Sequence, residues 1–291
     1  DLSEMFFVYH AYQDKAKHYL KSDGKSRFSQ GGQAHDVIKV LETDGMVPQI
    51  DFVGEKQNGE YVHRPLARKL KKQVEKLQEK DNPINIEKNR PFTGILKKGL
   101  GKTPKKVKFD NQKFSPAQLR DKFEIDPTDY IEITSYSHHP FYERFALDVP
   151  DNWSKDLYYN LPIDELLEVM YYSLENGYTI CWDGDTSEKT FRPKKGYANL
   201  HEKYTGKVTQ DLRQETFNDK STTDDHLMHI VGLSKNTGGE KCFYTKNSWG
   251  KKSNKYGGYL HLSEDYVKLK TIAILVHKDA VPLEIKNKLN L

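Results

Sequence analysis

At 291 residues the chain can bury a sizeable core, as one large domain or as two lobes. Charged residues make up 30% and aromatic residues 12%, with 18 Tyr, which excludes disorder throughout; 46 basic against 42 acidic side chains leave a net charge of +4, too mild to point to nucleic acid by itself. No run of 18 apolar residues offers a membrane-spanning helix, and two cysteines, Cys181 and Cys242, exclude a disulfide scaffold.

Asp1-Leu2-Ser3-Glu4 is neither a signal peptide nor a methionine start, so the chain reads as a trimmed product whose address lay upstream of Asp1. Residues 3–20 are expected to be helical: Ser3 suits an N-cap, and Met5, Val8, Tyr9 and Tyr12 recur at helical spacing. Gly24 to Gly32 is a loop. Ala34, Val37, Ile38 and Leu41 then form the stripe of a second helix, stopped at Gly45.

The character changes over residues 51–157. Arg64 to Lys80 suggests a polar helix with a thin stripe of Leu66, Leu70, Val74 and Leu77. Lys88 to Lys108 holds eight basic residues, no acidic ones, and several Gly and Pro, which suggests a cationic loop. Ser115-Pro116 opens a short helix before Phe123. His138-His139-Pro140 has no acidic or cysteine partner at ligand spacing, so no metal is expected, and no cofactor motif occurs.

From Ile163 to Asn176 runs the clearest helix, ended by Gly177. Beyond it the periodicity shifts to strands at 178–182, 229–233, 242–247, 259–262 and 271–277. Trp182-Asp183-Gly184-Asp185 suggests a solvated turn with two carboxylates, the other reading being a contact with a substrate's free amine. Helices first and strands later indicate an α+β protein with segregated lobes.

Two strings carry chemistry: Asp225-His226-Leu227-Met228-His229-Ile230-Val231-Gly232 and Lys246-Asn247-Ser248-Trp249-Gly250. A thiol protease needs a histidine to activate sulfur and a group that orients the imidazole. A carboxamide can accept from one ring nitrogen and leave the other facing sulfur, and an indole can shield that bond from water. His226 suits the base, Asn247 the orienter and Trp249 the shield, with Asp225 in support. His229 sits at odd spacing from His226 and should face the other side of the strand.

On these strings, and on Gly257-Gly258-Tyr259, the chain resembles a papain-type cysteine protease. Leu2-Ser3-Glu4 resembles the segment that follows the nucleophile helix, and Gly31-Gly32-Gln33 the glycine stretch whose backbone pairs with substrate; Tyr159-Asn160-Leu161-Pro162-Ile163-Asp164 resembles the bleomycin hydrolase and bacterial aminopeptidase C branch in particular. The resemblance implies a helical left lobe, a β-barrel-like right lobe and a long insertion. Residues 1–50 would be the remainder of the left lobe, 51–157 the basic insertion, 158–280 the right lobe with His226 and Asn247, and 281–291 a C-terminal arm. It implies a peptide substrate whose backbone pairs with Gly31 and Gly32, where no side chain blocks approach. It also implies a homo-oligomer (a hexameric ring in that branch) and a cytoplasmic address.

The family's nucleophilic cysteine would lie upstream of Asp1. Cys181-Trp182 imitates the nucleophile's Cys-Trp pair but sits on an expected strand, and Cys242 lies on the asparagine strand. A companion N-terminal polypeptide is therefore expected. Without it, Met5, Phe6, Val8 and the stripe from Val37 to Leu41 should expose apolar surface. Two other readings stand beside the peptidase: a catalytically inactive papain-like binding domain, and a nucleic-acid binder using the basic insertion. Sparse aromatic interleaving there (Phe92, Phe109) and the lack of a recognition motif argue against the latter.

Overall fold

The computed structural model describes residues 1–56, 59, 61–79, 85–204 and 206–291, which form two compact units. The first comprises Asp1–Pro127 with Pro150–Lys155, and the second Thr128–Val149 with Asp156–Leu291.

The first unit is helical. Helix α1 (Glu4–Lys21) starts where the Ser3 hydroxyl accepts the Phe6 N–H at 3.1 Å. Met5, Tyr9, Tyr12, Ala16 and Tyr19 recur at helical spacing and are buried. Helix α2 (Ala34–Thr43) ends at Gly45, whose φ of +85° takes the left-handed conformation that stops a helix. Helix α3 (His63–Gln78) buries Leu66, Leu70, Val74 and Leu77; Lys80, the expected end of this helix, lies outside the described residues.

The stretch expected to be a cationic loop is instead mostly helix α4 (Arg90–Leu100). Asn89 caps it by accepting the Phe92 N–H at 3.0 Å, and Pro91 occupies the first turn, where a missing N–H costs nothing. Phe92, Leu96 and Leu100 recur every four residues and are at most 2% exposed, and α4 packs on α3. Gly94, Gly99 and Pro91 masked this stripe in the sequence. Strands β1 (Val107–Phe109) and β2 (Gln112–Phe114) make a hairpin, and α5 (Pro116–Lys122) follows, capped by Ser115.

These elements overturn the expected exposure of the apolar stripe. Met5, Phe6, Val40 and Leu41 lie in one core with Leu66, Leu70, Phe92, Leu96 and Leu119, so α3, α4 and α5 cover them; Val37 alone of the named residues is exposed, at 40%.

The second unit is built on a ten-stranded mixed sheet. In chain order its elements are β3 (Tyr130–Thr134), β4 (Arg144–Ala146), β5 (Leu157–Asn160), α6 (Ile163–Glu175), β6 (Ile180–Gly184), β7 (Phe191–Arg192), β8 (Tyr197–Ala198), α7 (Gln210–Asn218), β9 (His226–Lys235), β10 (Lys241–Lys246), β11 (Tyr259–Ser263), α8 (Glu264–Lys270), β12 (Thr271–His277) and α9 (Leu283–Leu289). The strand order is β4-β5-β3-β12-β6-β9-β10-β11-β8-β7. This places β9 inside the sheet, antiparallel to both β6 and β10. Helix α6 packs on β9 through Leu166, Leu167 and Met170, in one core with Trp182, Met228, Ile230 and Phe243. No described helix is long and apolar enough to cross a membrane.

Candidate active site

His226 is the first residue of β9 and faces Gly184 of β6 across the ladder. Asn247 follows the last residue of β10, and its N–H donates to Gly258 O at 3.0 Å. Two neighbouring antiparallel strands thus deliver both side chains to one end of the sheet. The His226 Nε2 to Asn247 Oδ1 distance is 2.8 Å. A carboxamide oxygen only accepts, so Nε2 carries the proton, and Nδ1 is left without a partner among the described residues. Asn247 is 4% exposed, which removes water from competition for that bond.

Trp249 lies beside the imidazole, with ring centroids 5.3 Å apart and planes inclined at 37°. It remains 54% exposed, and Phe191 meets it edge-on at 6.3 Å. The turn from Asn247 to Tyr259 needs its glycines. Gly258 has a φ of +88°, and a Cβ there would come within 2.8 Å of Gly250 O. Asn254, a residue the motif strings did not flag, ties this turn down. Its Nδ2 donates to Pro193 O at 2.9 Å and Tyr259 O at 2.8 Å, and its Oδ1 accepts from Tyr256 N and Gly258 N. An Asn between short loop segments is the only sequence signal such a tie leaves.

Asp225 accepts the Thr186 N–H at 3.2 Å and the Thr223 hydroxyl at 3.0 Å. Partial burial and the nearby Asp185 carboxyl push Asp225 above the usual carboxylate range. The expected solvated turn at Asp183-Gly184-Asp185 is a correction. Asp183 and Gly184 belong to β6, and Asp183 and Asp185 are 3% and 0% exposed. Asp185 pairs with the fully buried Lys270 ammonium at 3.1 Å, which also meets Glu188 at 2.9 Å and donates to Ser221 O at 2.6 Å. Burial opposes ionisation of Asp185, but hydrogen bonds from Ser187 and the Lys270 charge outweigh it and hold this carboxyl below its ordinary value. A charge satisfied by a lysine 85 residues away leaves no local trace in sequence.

Neither cysteine can serve His226. Cys181 sits opposite His229, three residues along β6 from Gly184, so roughly 10 Å separates it from the His226 position at about 3.3 Å per residue. Burial, then Asp183 and Glu132, push its thiol up to about 12. Cys242 pairs with Ser234, eight residues from His226 along β9, and burial raises its thiol too. His229, at the odd spacing, is exposed. His139 stacks on Phe145 at 4.2 Å, and among the described residues no group of His, Cys, Asp and Glu could hold a metal ion.

Gly31 and Gly32 belong to the first unit. A Cβ on Gly31 would meet an Asp151 oxygen at 1.9 Å, and one on Gly32 an Asp36 oxygen at 2.4 Å, so the carboxylates occupy the space side chains would need. The Gly32 N–H and C=O carry no hydrogen bond among the described residues.

A family model described as "Peptidase C1-like family" matches residues 7–291, and the chain belongs to that family. Its relatives include "Aminopeptidase G" of Lactobacillus delbrueckii subsp. lactis, 24% identical over 278 residues, covering 85% of this chain and 63% of that protein. "Aminopeptidase E" of Lactobacillus helveticus is 25% identical over 295 residues, covering 89% of this chain and 65% of that protein. The chain therefore spans less than two thirds of the length of either relative. Among solved structures, the crystal structure of pepw from "lactobacillus rhamnosis hn001" superposes with a TM-score of 0.79 at 18% identity, covering all of this chain and 75% of that one. The fold is the α+β papain-like one.

Proposed function

We propose that this chain is the larger part of a cysteine-type peptidase that hydrolyses peptide bonds at substrate N-termini, with the nucleophilic thiol supplied by residues outside these 291. The observation that carries the reading is the 2.8 Å contact from His226 Nε2 to buried Asn247, which leaves Nδ1 open to sulfur. The relatives named aminopeptidases support the N-terminal restriction.

In this reading the thiol proton passes to His226 Nδ1, giving a thiolate–imidazolium pair. The thiolate attacks the scissile carbonyl carbon, and the carbonyl electron pair moves to oxygen. As the tetrahedral adduct collapses, the C–N bond breaks and Nδ1 returns its proton to the leaving amine. Water then attacks the thioester, giving one proton to Nδ1; the C–S bond breaks, releasing the acid and regenerating the thiolate–imidazolium pair. Asn247 keeps the ring in the productive orientation through both halves. Trp249 limits water access to that hydrogen bond. In the first unit, the unpaired Gly32 backbone is the proposed partner for an extended peptide.

The test is hydrolysis of aminoacyl fluorogenic amides by the full-length protein. Free-amine substrates should be cleaved, their N-acetylated versions poorly, and His226→Ala should abolish turnover. Equal cleavage of both substrate types would refute the N-terminal restriction. A folded protein that cleaves neither would favour the alternative of a silent binding domain, which the remote placement of Cys181 and Cys242 also suits.

A further inference from the structure

Lys15 lies on α1 and is 4% exposed, an unusual place for an ammonium. Its Nζ donates to Ser29 O at 3.1 Å and also to Gly31 O. The Trp153 ring centroid is 5.8 Å from the same nitrogen, and Trp153 Nε1 donates to Asp36 Oδ2 at 2.9 Å. That carboxylate oxygen also accepts the Gln33 N–H at 3.2 Å. Burial pushes the Lys15 ammonium below its ordinary value, and the nearby Asp36 and Asp151 carboxyls oppose that shift. Every member of this cluster belongs to the first unit.

A trans peptide is planar, so the Gly31 C=O and the Gly32 N–H point to opposite sides of one rigid plane. Glycine on both sides leaves that plane free to rotate, because no Cβ restricts it. A donor that grips the Gly31 carbonyl therefore sets the direction of the Gly32 N–H, which is unpaired among the described residues. An exposed loop would not need a buried ammonium to satisfy a carbonyl that water can reach.

We infer that Lys15 is a positioning residue for substrate binding: it clamps the Gly31 carbonyl inward and so aims the Gly32 backbone at an extended peptide, with Asp36 and Trp153 bracing the clamp. The inference rests on the reading of Gly32 as the backbone partner of the substrate. Lys15 itself does not touch the reacting atoms.

The experiment compares wild-type, Lys15→Met, Lys15→Arg and Trp153→Phe full-length proteins in two assays. One is hydrolysis of a fluorogenic peptide substrate. The other is the rate of iodoacetamide alkylation of the active thiol against pH, which needs the imidazole but not the Gly32 backbone. Lys15→Met should lower kcat/KM about tenfold, mainly through KM, with alkylation and its pH profile within about twofold of wild type. Lys15→Arg should recover most of the loss, and Trp153→Phe should raise KM about two- to fivefold. Unchanged hydrolysis in Lys15→Met overturns the inference, as does a parallel fall in hydrolysis and alkylation. If Lys15→Met does not fold, an unchanged KM in Trp153→Phe overturns it. Wild-type protein that neither hydrolyses nor alkylates overturns the peptidase reading and the clamp with it.

Discussion

One hydrogen bond decides the chemistry available to His226. Asn247→Ala removes the acceptor on Nε2 and frees the ring to rotate or change tautomer. The expected outcome is a fall in kcat of about 10- to 100-fold with little change in KM, since orientation matters in the transition state rather than in binding. Asn247→Asp tests the same position differently: a buried carboxylate would retain the acceptor and bias the imidazole toward the charged form. The strings around His226 and Asn247 were legible because each is local and two adjacent antiparallel strands are the simplest way to join them. Lys15, Asn254 and Lys270 were not legible, because their partners lie 14 to 85 residues away or are backbone atoms that carry no side-chain signature.

The carboxylates beside His226 predict the pH dependence of stability. Asp185 is held below the ordinary carboxylate range, so its contribution is fully present above the unfolded value of about 4 and is lost as pH falls through its folded value. Asp225 has the opposite sign: its folded value is raised, so the folded state is favoured while it is protonated, and that advantage fades as pH rises through the folded value. Urea unfolding between pH 3 and 7 should therefore show a flatter acid limb for Asp185→Asn than for wild type. In Asp225→Asn the change should appear on the higher-pH side of the window instead.

Elements explain why these residues meet. Strand β6 runs on into Asp183 and Gly184 because the carboxylate beyond it is met by Lys270, at the junction of α8 and β12. Lys270→Met leaves Asp185 and Glu188 without their buried cation and should cost about 3–5 kcal/mol in urea unfolding. A loss below about 1 kcal/mol would show that water replaces the ammonium easily. At the other strand end, Gly258→Ala forces a Cβ against Gly250 O in the left-handed region, at a cost of about 1–3 kcal/mol, and should loosen the Gly258 carbonyl that holds Asn247. Hydrolysis should fall with it.

The element boundaries that sequence patterns missed share a cause. Turn-forming residues at Asp183-Gly184-Asp185, and Pro91, Gly94 and Gly99 in α4, signal a break locally, while tertiary partners supply the stabilisation that overrides it. Strands β3 and β4, neither anticipated, gain their place from pairing with β12 and β5.

At the scale of the whole molecule, each unit closes its own core. The helical unit buries Met5, Phe6, Val40 and Leu41 under α3, α4 and α5, so the stripe anticipated as exposed is covered from within the chain. The sheet unit carries the His226–Asn247 pair with no cysteine of its own against the imidazole. Membership of the Peptidase C1-like family fits both units, since its model spans residues 7–291.

The central claim is that His226, held by Asn247, activates a thiol contributed from outside these residues. The most direct measurement is labelling of the full-length protein with an irreversible epoxide inhibitor of thiol proteases, with the modified residue mapped by mass spectrometry. The account predicts one modified cysteine that is neither Cys181 nor Cys242, labelled about 10- to 100-fold more slowly in Asn247→Ala. Modification of Cys181 or Cys242, or labelling that ignores the loss of Asn247, would contradict it.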